Sequence, residues 1–495
     1  MKLPAGIKNT RAKSTLSAFA LLLTACSVNP ATGERDFTAF MSPQEELRVG
    51  QQEHPKIIQQ FGGVYDDPEV TAYVNRIGQN LAKVSELPDL NFTFTVLDDD
   101  IVNAFALPGG YVYISRGLLG LANTEAELAG VLGHEIGHVT ARHSAQRYSS
   151  SVVAQGLSVG AGILGSIFLG TPDIGQAVGQ GSALYLQSFS REHEFEADTL
   201  GVRYLARAGY ATDAMASFLA SLQAYSSLEA KVSGRPDPAE RRNIMSTHPR
   251  TQDRVVAATR AANVQSVPNP EIGNRNYMKA IDGITFGGSE KAGLVRGRIF
   301  VHEPLNFLFE VPQDFHLTNG SQQVVAQGPN NTVIIFSGGN APAGSRMDAY
   351  LTQVWAKNTR FTKVETIQIN GMEAATGRTV VNNRSGRFDA QLVAIRHSPN
   401  QVYRFVFLTP TNQTVGLQTE LRATMESFRK LTRTDRNRYG PWTVDTKVTG
   451  RRDTVKSLSR NMPMPGPREE WFRVLNGLKP GSEPFPGQVV KVIVN

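Results

Sequence analysis

The run His134-Glu135-Ile136-Gly137-His138 constrains this chain more than any other feature. Thr124-Glu125-Ala126-Glu127 reads as a capping box that starts a helix, and Leu128, Val131, Leu132, Ile136 and Val139 give that helix an apolar face. Two residues four apart on a helix are about one turn apart, so His134 and His138 share a face and both reach one metal ion. Glu135 lies beside them, within reach of a metal-bound water. One Zn²⁺ per chain suits this grouping. Two neutral imidazoles hold the ion, the ion lowers the water's pKa towards about 7, and the carboxylate takes its proton. The competing reading is a pair of satisfied core histidines. Gly133 and Gly137 each weaken the helix by roughly 1 kcal/mol relative to Ala, and their use is the close approach of another backbone.

A catalytic zinc needs three protein ligands and one open position. The best segment for the third is Ser190-Arg191-Glu192-His193-Glu194-Phe195-Glu196-Ala197-Asp198. It reads as a second helix, continued by Leu200, Val202, Leu205 and Ala206 and stopped at Gly209. Glu194 and Asp198 share a face, so one can bind metal while the other orients a ligand histidine. A solvated acidic helix start would look the same on its own. His143 follows His138 at an offset of five, which turns it away from the metal face of a continuous helix, so it reads as a surface or structural residue.

His-Glu-Ile-Gly-His followed by Glu-Phe-Glu-Ala-Asp resembles the zinc metallopeptidases that include the CAAX prenyl endopeptidases, HtpX and the periplasmic BepA-like proteases. Asn103 to Tyr113 resembles that family's edge strand ahead of the active helix. Asn29-Pro30-Ala31-Thr32-Gly33 with Glu45-Glu46-Leu47 resembles its N-terminal lead-in, and Thr247-His248-Pro249 with Arg254 resembles its late His-Pro…Arg element. The resemblance covers residues 27–265. It implies that Glu194 is the third ligand, that Asp198 supports a ligand histidine, and that His193 is a decoy or surface residue. His248 is implied either to donate to the oxyanion or to ligate zinc at rest, and Arg254 to hold substrate or the element itself. Tyr-Val-Tyr-Ile alternates after the Pro-Gly-Gly break, so Gly110, Tyr111, Val112 and Tyr113 are expected to form the strand that receives substrate by β-augmentation.

The formal charge of +7 is misleading, because Lys2, Lys8, Arg11 and Lys13 carry four of those charges before residue 26 and leave +3. That is too weak to point to nucleic acid, and no basic-aromatic cluster appears. The four basic residues precede a short apolar run, Leu16 to Leu23, of signal-peptide length. Leu23-Thr24-Ala25-Cys26 resembles the bacterial lipoprotein cleavage box. Cys26 is the only cysteine and would become the lipidated residue. Ser27 in the next position implies, on the same resemblance, the periplasmic inner leaflet of the outer membrane. Residues 152–187, rich in Gly, Ala, Ser, Val and Leu, read as a helical hairpin over the active helix rather than a membrane span.

The expected fold is α+β and multidomain. A signal peptide occupies 1–25, and a mainly helical zincin-type metallopeptidase domain with a small edge sheet occupies 26–265. A linker at 266–296 and an α+β antiparallel-sheet domain at 297–435 follow, the latter resembling PsbP/Mog1-type domains. A small βααβ domain resembling a LysM module closes the chain at 440–495. The expected function is envelope zinc endopeptidase, acting on proteins or peptides that include misassembled outer-membrane proteins. The outer-membrane assembly machinery, peptidoglycan and, through the lipid, the membrane are its implied partners. The rival reading is a latent or degenerate peptidase acting as an envelope chaperone or peptidoglycan-binding adaptor.

Overall fold

The computed structural model describes residues 26–158, 188–233, 248, 251–320, 322–383 and 386–495. The expected signal peptide, most of the glycine-rich segment after residue 158, and Thr247 and Pro249 lie outside them. The chain divides into two compact units, one of residues up to Ile284 with most of the C-terminal segment, the other centred on Thr285–Thr443.

The first unit opens with a hairpin, β1 (Cys26–Val28) and β2 (Arg35–Phe37), then α1 (Pro43–Gln60) and α2 (Pro68–Lys83). A capping box between Ser42 and Glu45 starts α1, and Asp67 caps α2. Strands β3 (Thr93–Leu97), β4 (Ala104–Leu107) and β5 (Tyr111–Ser115) form a sheet in the order β3-β5-β4. Next come α3 (Arg116–Leu121), α4 (Glu125–Thr140), α5 (His143–Ser158), α6 (Arg191–Ala208), α7 (Ala214–Ser233), α8 (Thr251–Val264) and α9 (Asn274–Ile281). The sheet order corrects one expectation. β5, which holds Tyr111, Val112 and Tyr113 just after Gly110, is the central strand, paired in parallel with β3 and antiparallel with β4. Its two hydrogen-bonding edges are used, so it cannot receive a substrate strand. The outer strand beside α4 is β4.

The helix α4 starts where the capping signal placed it. Thr124 accepts from the Glu127 amide at 3.0 Å, but the return arm is shifted by one residue, with Glu127 accepting from the Asn123 amide at 2.7 Å. Apart from Val139, α4 is buried along its length, so it is a core helix rather than one with a single apolar face. The two glycines do what their cost implies. A Cβ on Gly133 would sit 3.3 Å from Gly201 of α6, and one on Gly137 would sit 3.2 Å from the Ala197 carbonyl. This close approach presents the first turn of α6 to the two histidines of α4. Gly209 ends α6 in the left-handed region at φ 81°, a conformation that costs glycine little.

The segment expected to link domains instead carries α9. Its Tyr277 is wholly buried and donates to the Leu119 carbonyl at 2.6 Å. The C-terminal segment is likewise no separate module. Its elements Trp442–Val448, Val455–Ser459, Arg468–Leu475 and Val489–Val494 run strand, helix, helix, strand, but residues 444–462 and 467–492 merge into the first unit. Buried Lys491 is the reason. Its Nζ donates to the carbonyls of Gly120, Leu121 and Ala122 at 2.9, 3.0 and 2.7 Å, satisfying the end of α3. Its three N–H donors are thereby used inside the first unit.

The second unit is built on a seven-stranded antiparallel sheet. From one edge its strands are His316–Asn319, Gln323–Gln327, Val333–Asn340, Gln401–Pro410, Gly386–Arg396, Met372–Asn383 and Lys363–Ile369. Tyr403, Phe405 and Phe407 alternate inward along one strand and meet Phe307, Phe309, Phe336 and Phe428 in one cluster. The helix Thr414–Ser427 covers it through Leu421 and Met425.

Candidate metal centre

His134 and His138 face the start of α6 from one side of α4. Their Nε2 atoms lie 3.0 Å apart. Glu194, in the first turn of α6, places Oε2 3.7 Å from His134 Nε2 and Oε1 3.5 Å from His138 Nε2. His248 completes the group, with Nδ1 at 3.2 Å from His134 Nε2 and at 2.8 and 3.0 Å from the two Glu194 oxygens. All four are buried, and they are the group of His, Cys, Asp and Glu side chains among the described residues whose donor atoms converge on one point.

The donor chemistry fits a zinc ion. His134 Nδ1 lies 2.9 Å from Asp198 Oδ1, so that nitrogen carries the proton and Nε2 presents a lone pair. A lone pair aimed at other acceptors within a buried space calls for a cation between them. Tetrahedral bonds of about 2.0–2.1 Å separate donor atoms by roughly 3.3 Å, a value bracketed by the close pairs of this set at 2.8–3.7 Å, with all four donors within 4.8 Å. Burial drives the His138 pKa well below its ordinary value, which keeps it a neutral ligand. Burial opposes ionisation of Glu194, but the charges of His248 and Arg254 outweigh it and hold the carboxyl well below the usual carboxylate range. Burial disfavours the charged form of His248, but the Glu194 and Glu135 carboxylates outweigh it and push its pKa up.

Glu135 is wholly buried, and neither of its oxygens has a hydrogen-bond partner among the described residues. Burial raises its pKa, as suits a base that must also release a proton. Its Oε1 lies 3.5 Å from His248 Nε2. Arg254 is a clamp rather than a free cation. Its Nε and Nη2 grip Asp198 at 2.8 and 2.7 Å, and its Nη1 reaches Glu194 Oε2 at 2.8 Å. Burial disfavours the Asp198 carboxylate, but Arg254 overcomes that and lowers its pKa.

The helical offset argument fails for His143. The chain leaves α4 at Thr140 and turns at Arg142, whose φ is 57°. That turn folds His143 back, so that its Nδ1 lies 2.8 Å from His138 Nδ1 in a wholly buried position. Three hydrogen bonds hold Arg142 in this conformation, from Nε to Glu46, Nη1 to Ser27 and Nη2 to the Met41 carbonyl, at 3.0, 2.8 and 2.8 Å. His193 is not in the donor cluster. It stacks on His143 at 4.3 Å between ring centroids. Sequence reasoning also passes over Phe189, whose ring lies 4.0 Å from that of His138 at 17°. No spacing rule announces either contact, because both depend on where the chain re-enters the site. Glu196 is visible in the motif but without a partner to give it meaning.

A buried donor cluster fed by an H-E-x-x-H helix and by the acidic first turn of a second helix is the arrangement of a zinc-dependent hydrolase site. Residues 68–262 match the model of peptidase family M48. The chain is 34% identical over 220 residues to the beta-barrel assembly-enhancing protease of Yersinia pestis, covering 43% of each. It is 34% identical over 204 residues to the Escherichia coli K12 protein of the same name, covering 40% of each. To the mitochondrial metalloendopeptidase OMA1 of Arabidopsis thaliana it is 36% identical over 148 residues, 30% of this chain and 29% of that one. The chain thus spans under half the length of these relatives. Among solved structures, cyanobacterial PsbP from Synechocystis sp. PCC 6803 aligns with a TM-score of 0.23 and 9% identity, over 28% of this chain and 95% of that one. At that score the likeness assigns neither fold nor function.

Proposed function

We propose that the chain is a zinc-dependent endopeptidase of the bacterial cell envelope. One observation carries this reading: the donors of His134, His138, Glu194 and His248 converge beside the buried carboxylate of Glu135, which accepts no hydrogen bond from the described residues. Zinc held there supplies Lewis-acid polarisation of the scissile carbonyl and lowers the pKa of an attacking water to about 7. Glu135 takes that water's proton and returns it to the leaving amine. Asp198 orients His134, and Arg254 locks Asp198 and Glu194 to each other. An extended substrate lies along β4, the outer strand beside α4. A cavity of about 180 Å³ at the end of that strand, bordered by Leu47, Leu87, Leu90, Leu107 and His138, suits an apolar substrate side chain.

The Yersinia and Escherichia relatives are named beta-barrel assembly-enhancing proteases, which supports a role beside β-barrel assembly; misassembled envelope proteins are the substrates we propose. A lipid on Cys26 would hold the chain at the periplasmic face of the outer membrane. No helix among the described residues is long and apolar enough to cross a membrane. The strand-helix-helix-strand C-terminal segment is the candidate contact with peptidoglycan. The direct test is casein cleavage by the purified chain. Chelation should abolish it and zinc restore it, and cleavage indifferent to chelation would overturn the reading.

One observation favours a latent resting state: His248 stands where a fourth ligand would close the centre. His248→Ala should then raise basal cleavage, including self-cleavage, at saturating zinc. A loss of about 10²–10³ instead would assign His248 to the oxyanion.

A further inference from the structure

We infer that His143 and Glu196 are positioning residues for the metal ligand His138. The inference rests on the metal centre proposed above and adds residues that no ligand set includes.

The two ligand histidines of α4 pose the same requirement. Each must turn one nitrogen to the ion and have the other fixed by an acceptor. For His134 the acceptor is the Asp198 carboxylate, at 2.9 Å from Nδ1. His138 turns Nε2 into the donor cluster, 3.0 Å from His134 Nε2 and 3.5 Å from Glu194 Oε1. Its ligating lone pair is therefore on Nε2 and its proton on Nδ1. The atom facing that Nδ1 is His143 Nδ1, at 2.8 Å, which must accept. A neutral imidazole that accepts at Nδ1 carries its proton at Nε2. That atom faces Glu196 Oε2 at 3.4 Å. The other Glu196 oxygen accepts from Asn29 Nδ2 at 3.1 Å, and the same Asn29 amide donates to Asp36 Oδ2 at 2.7 Å.

His138 thus has a carboxylate behind it, as His134 does, but relayed through one imidazole. The line of Glu196, His143 and His138 sets which nitrogen of His138 faces the ion and the plane in which its ring lies. It also ties the centre to the N-terminal hairpin through Asn29. Simple space-filling would ask for none of this. His143 Nδ1 meets a ligand at hydrogen-bond distance, and its Nε2, which makes no hydrogen bond with the described residues, has a carboxylate 3.4 Å away as its nearest charge partner. His143 also reaches its place only because Arg142 adopts a left-handed conformation that costs a non-glycine residue about 1–2 kcal/mol. The ring is further held by stacking on His193, whose Nε2 pairs with Gln146 Oε1 at 3.1 Å.

The test compares the full chain with His143→Leu, His143→Gln and Glu196→Gln. Zinc affinity is measured by competition with a chelator, and the ligand field by the visible spectrum of the Co²⁺-loaded proteins. Thermal unfolding of the metal-free forms separates folding from binding. His143→Leu should weaken zinc binding about 10–100-fold and shift the cobalt bands. His143→Gln offers an amide carbonyl to His138 Nδ1–H and should recover most of that loss. Glu196→Gln keeps an acceptor but no charge and should weaken zinc binding by about three- to tenfold, and wild-type affinity in this variant would overturn the role of Glu196. Glu196 is partly exposed, at 28%, so this variant carries the test should His143→Leu fail to fold. Wild-type affinity and bands in His143→Leu would overturn the inference and leave the zinc reading standing. Equal losses in the Leu and Gln variants would overturn it too, since packing alone would explain them. A wild-type chain that takes up no zinc would remove the centre itself, and the inference with it.

Discussion

Both units bury apolar cores, but among the described residues only the first also buries a cluster of ionisable side chains. In the first, the space between α4 and α6 holds His134, Glu135, His138, His143, Glu194, Asp198, His248 and Arg254, all buried. In the second, the corresponding interior is Phe300, Phe307, Phe309, Phe336, Phe405, Phe407 and Phe428. Taking an ion from water costs several kcal/mol even after relaxation, whereas burying a phenylalanine is favourable by about 1.5–3 kcal/mol. A fold carries so many ionisable groups in its interior only where they act together. The aromatic unit keeps its two described interior-facing histidines, His302 and His397, at the edge of the ring cluster, where each packs against Phe307. The contrast teaches where the chemistry lies, and it can be broken by substitution.

The largest expected effect is at the ligands. His134→Ala, His138→Ala or Glu194→Ala should lower zinc content by metal analysis and eliminate casein cleavage. Equal zinc in Glu194→Ala and wild type would move the third ligand elsewhere. In the second unit the effect should be on folding. Phe405→Ala, in a wholly buried position, should destabilise by about 3–5 kcal/mol in denaturant titration while leaving zinc content unchanged. A loss of zinc in that variant would show that the units are not separable in this way.

The smallest effect sharpens the comparison through pH. Arg254 helps hold the Glu194 and Asp198 pKa values below their ordinary ones. A carboxylate with a depressed folded pKa contributes stability that is complete above its unfolded pKa, about 4, and is lost as pH falls through the folded value. Without Arg254, burial pushes these carboxyls up, so the Tm advantage of metal-free wild type over Arg254→Met should shrink as pH falls through the range in which the variant's carboxylates take up protons, and be smallest below about pH 4. An advantage that grows on acidification would contradict the assignment of Arg254 as their counter-charge.

Much of the centre is legible in the amino-acid sequence. Helical spacing alone brings His134 and His138 together, and Gly133 and Gly137 mark the face that meets α6. The strands around Val333 and Phe405 alternate more and less buried residues, while those around Phe307 and Leu392 are visible as short apolar runs. What stays hidden depends on how the chain turns between elements. Alternation marks Tyr111-Val112-Tyr113 as a strand but carries no information on neighbours, so the central place of β5 cannot be read from it. The offset of His143 assumes a helix that continues past Thr140, and nothing in the residue names foretells a left-handed Arg142. The C-terminal segment has a module's pattern of elements, yet one buried amine, Lys491, docks it onto α3.

The central claim is that metal binding and proton transfer are assigned to different side chains within one buried group. Glu135→Gln tests it most directly, because the amide preserves shape and removes the base. Zinc content and casein cleavage are measured side by side for this variant and wild type. The account predicts equal zinc and cleavage reduced by about 10²–10⁴. Cleavage at the wild-type rate with zinc in place would contradict it.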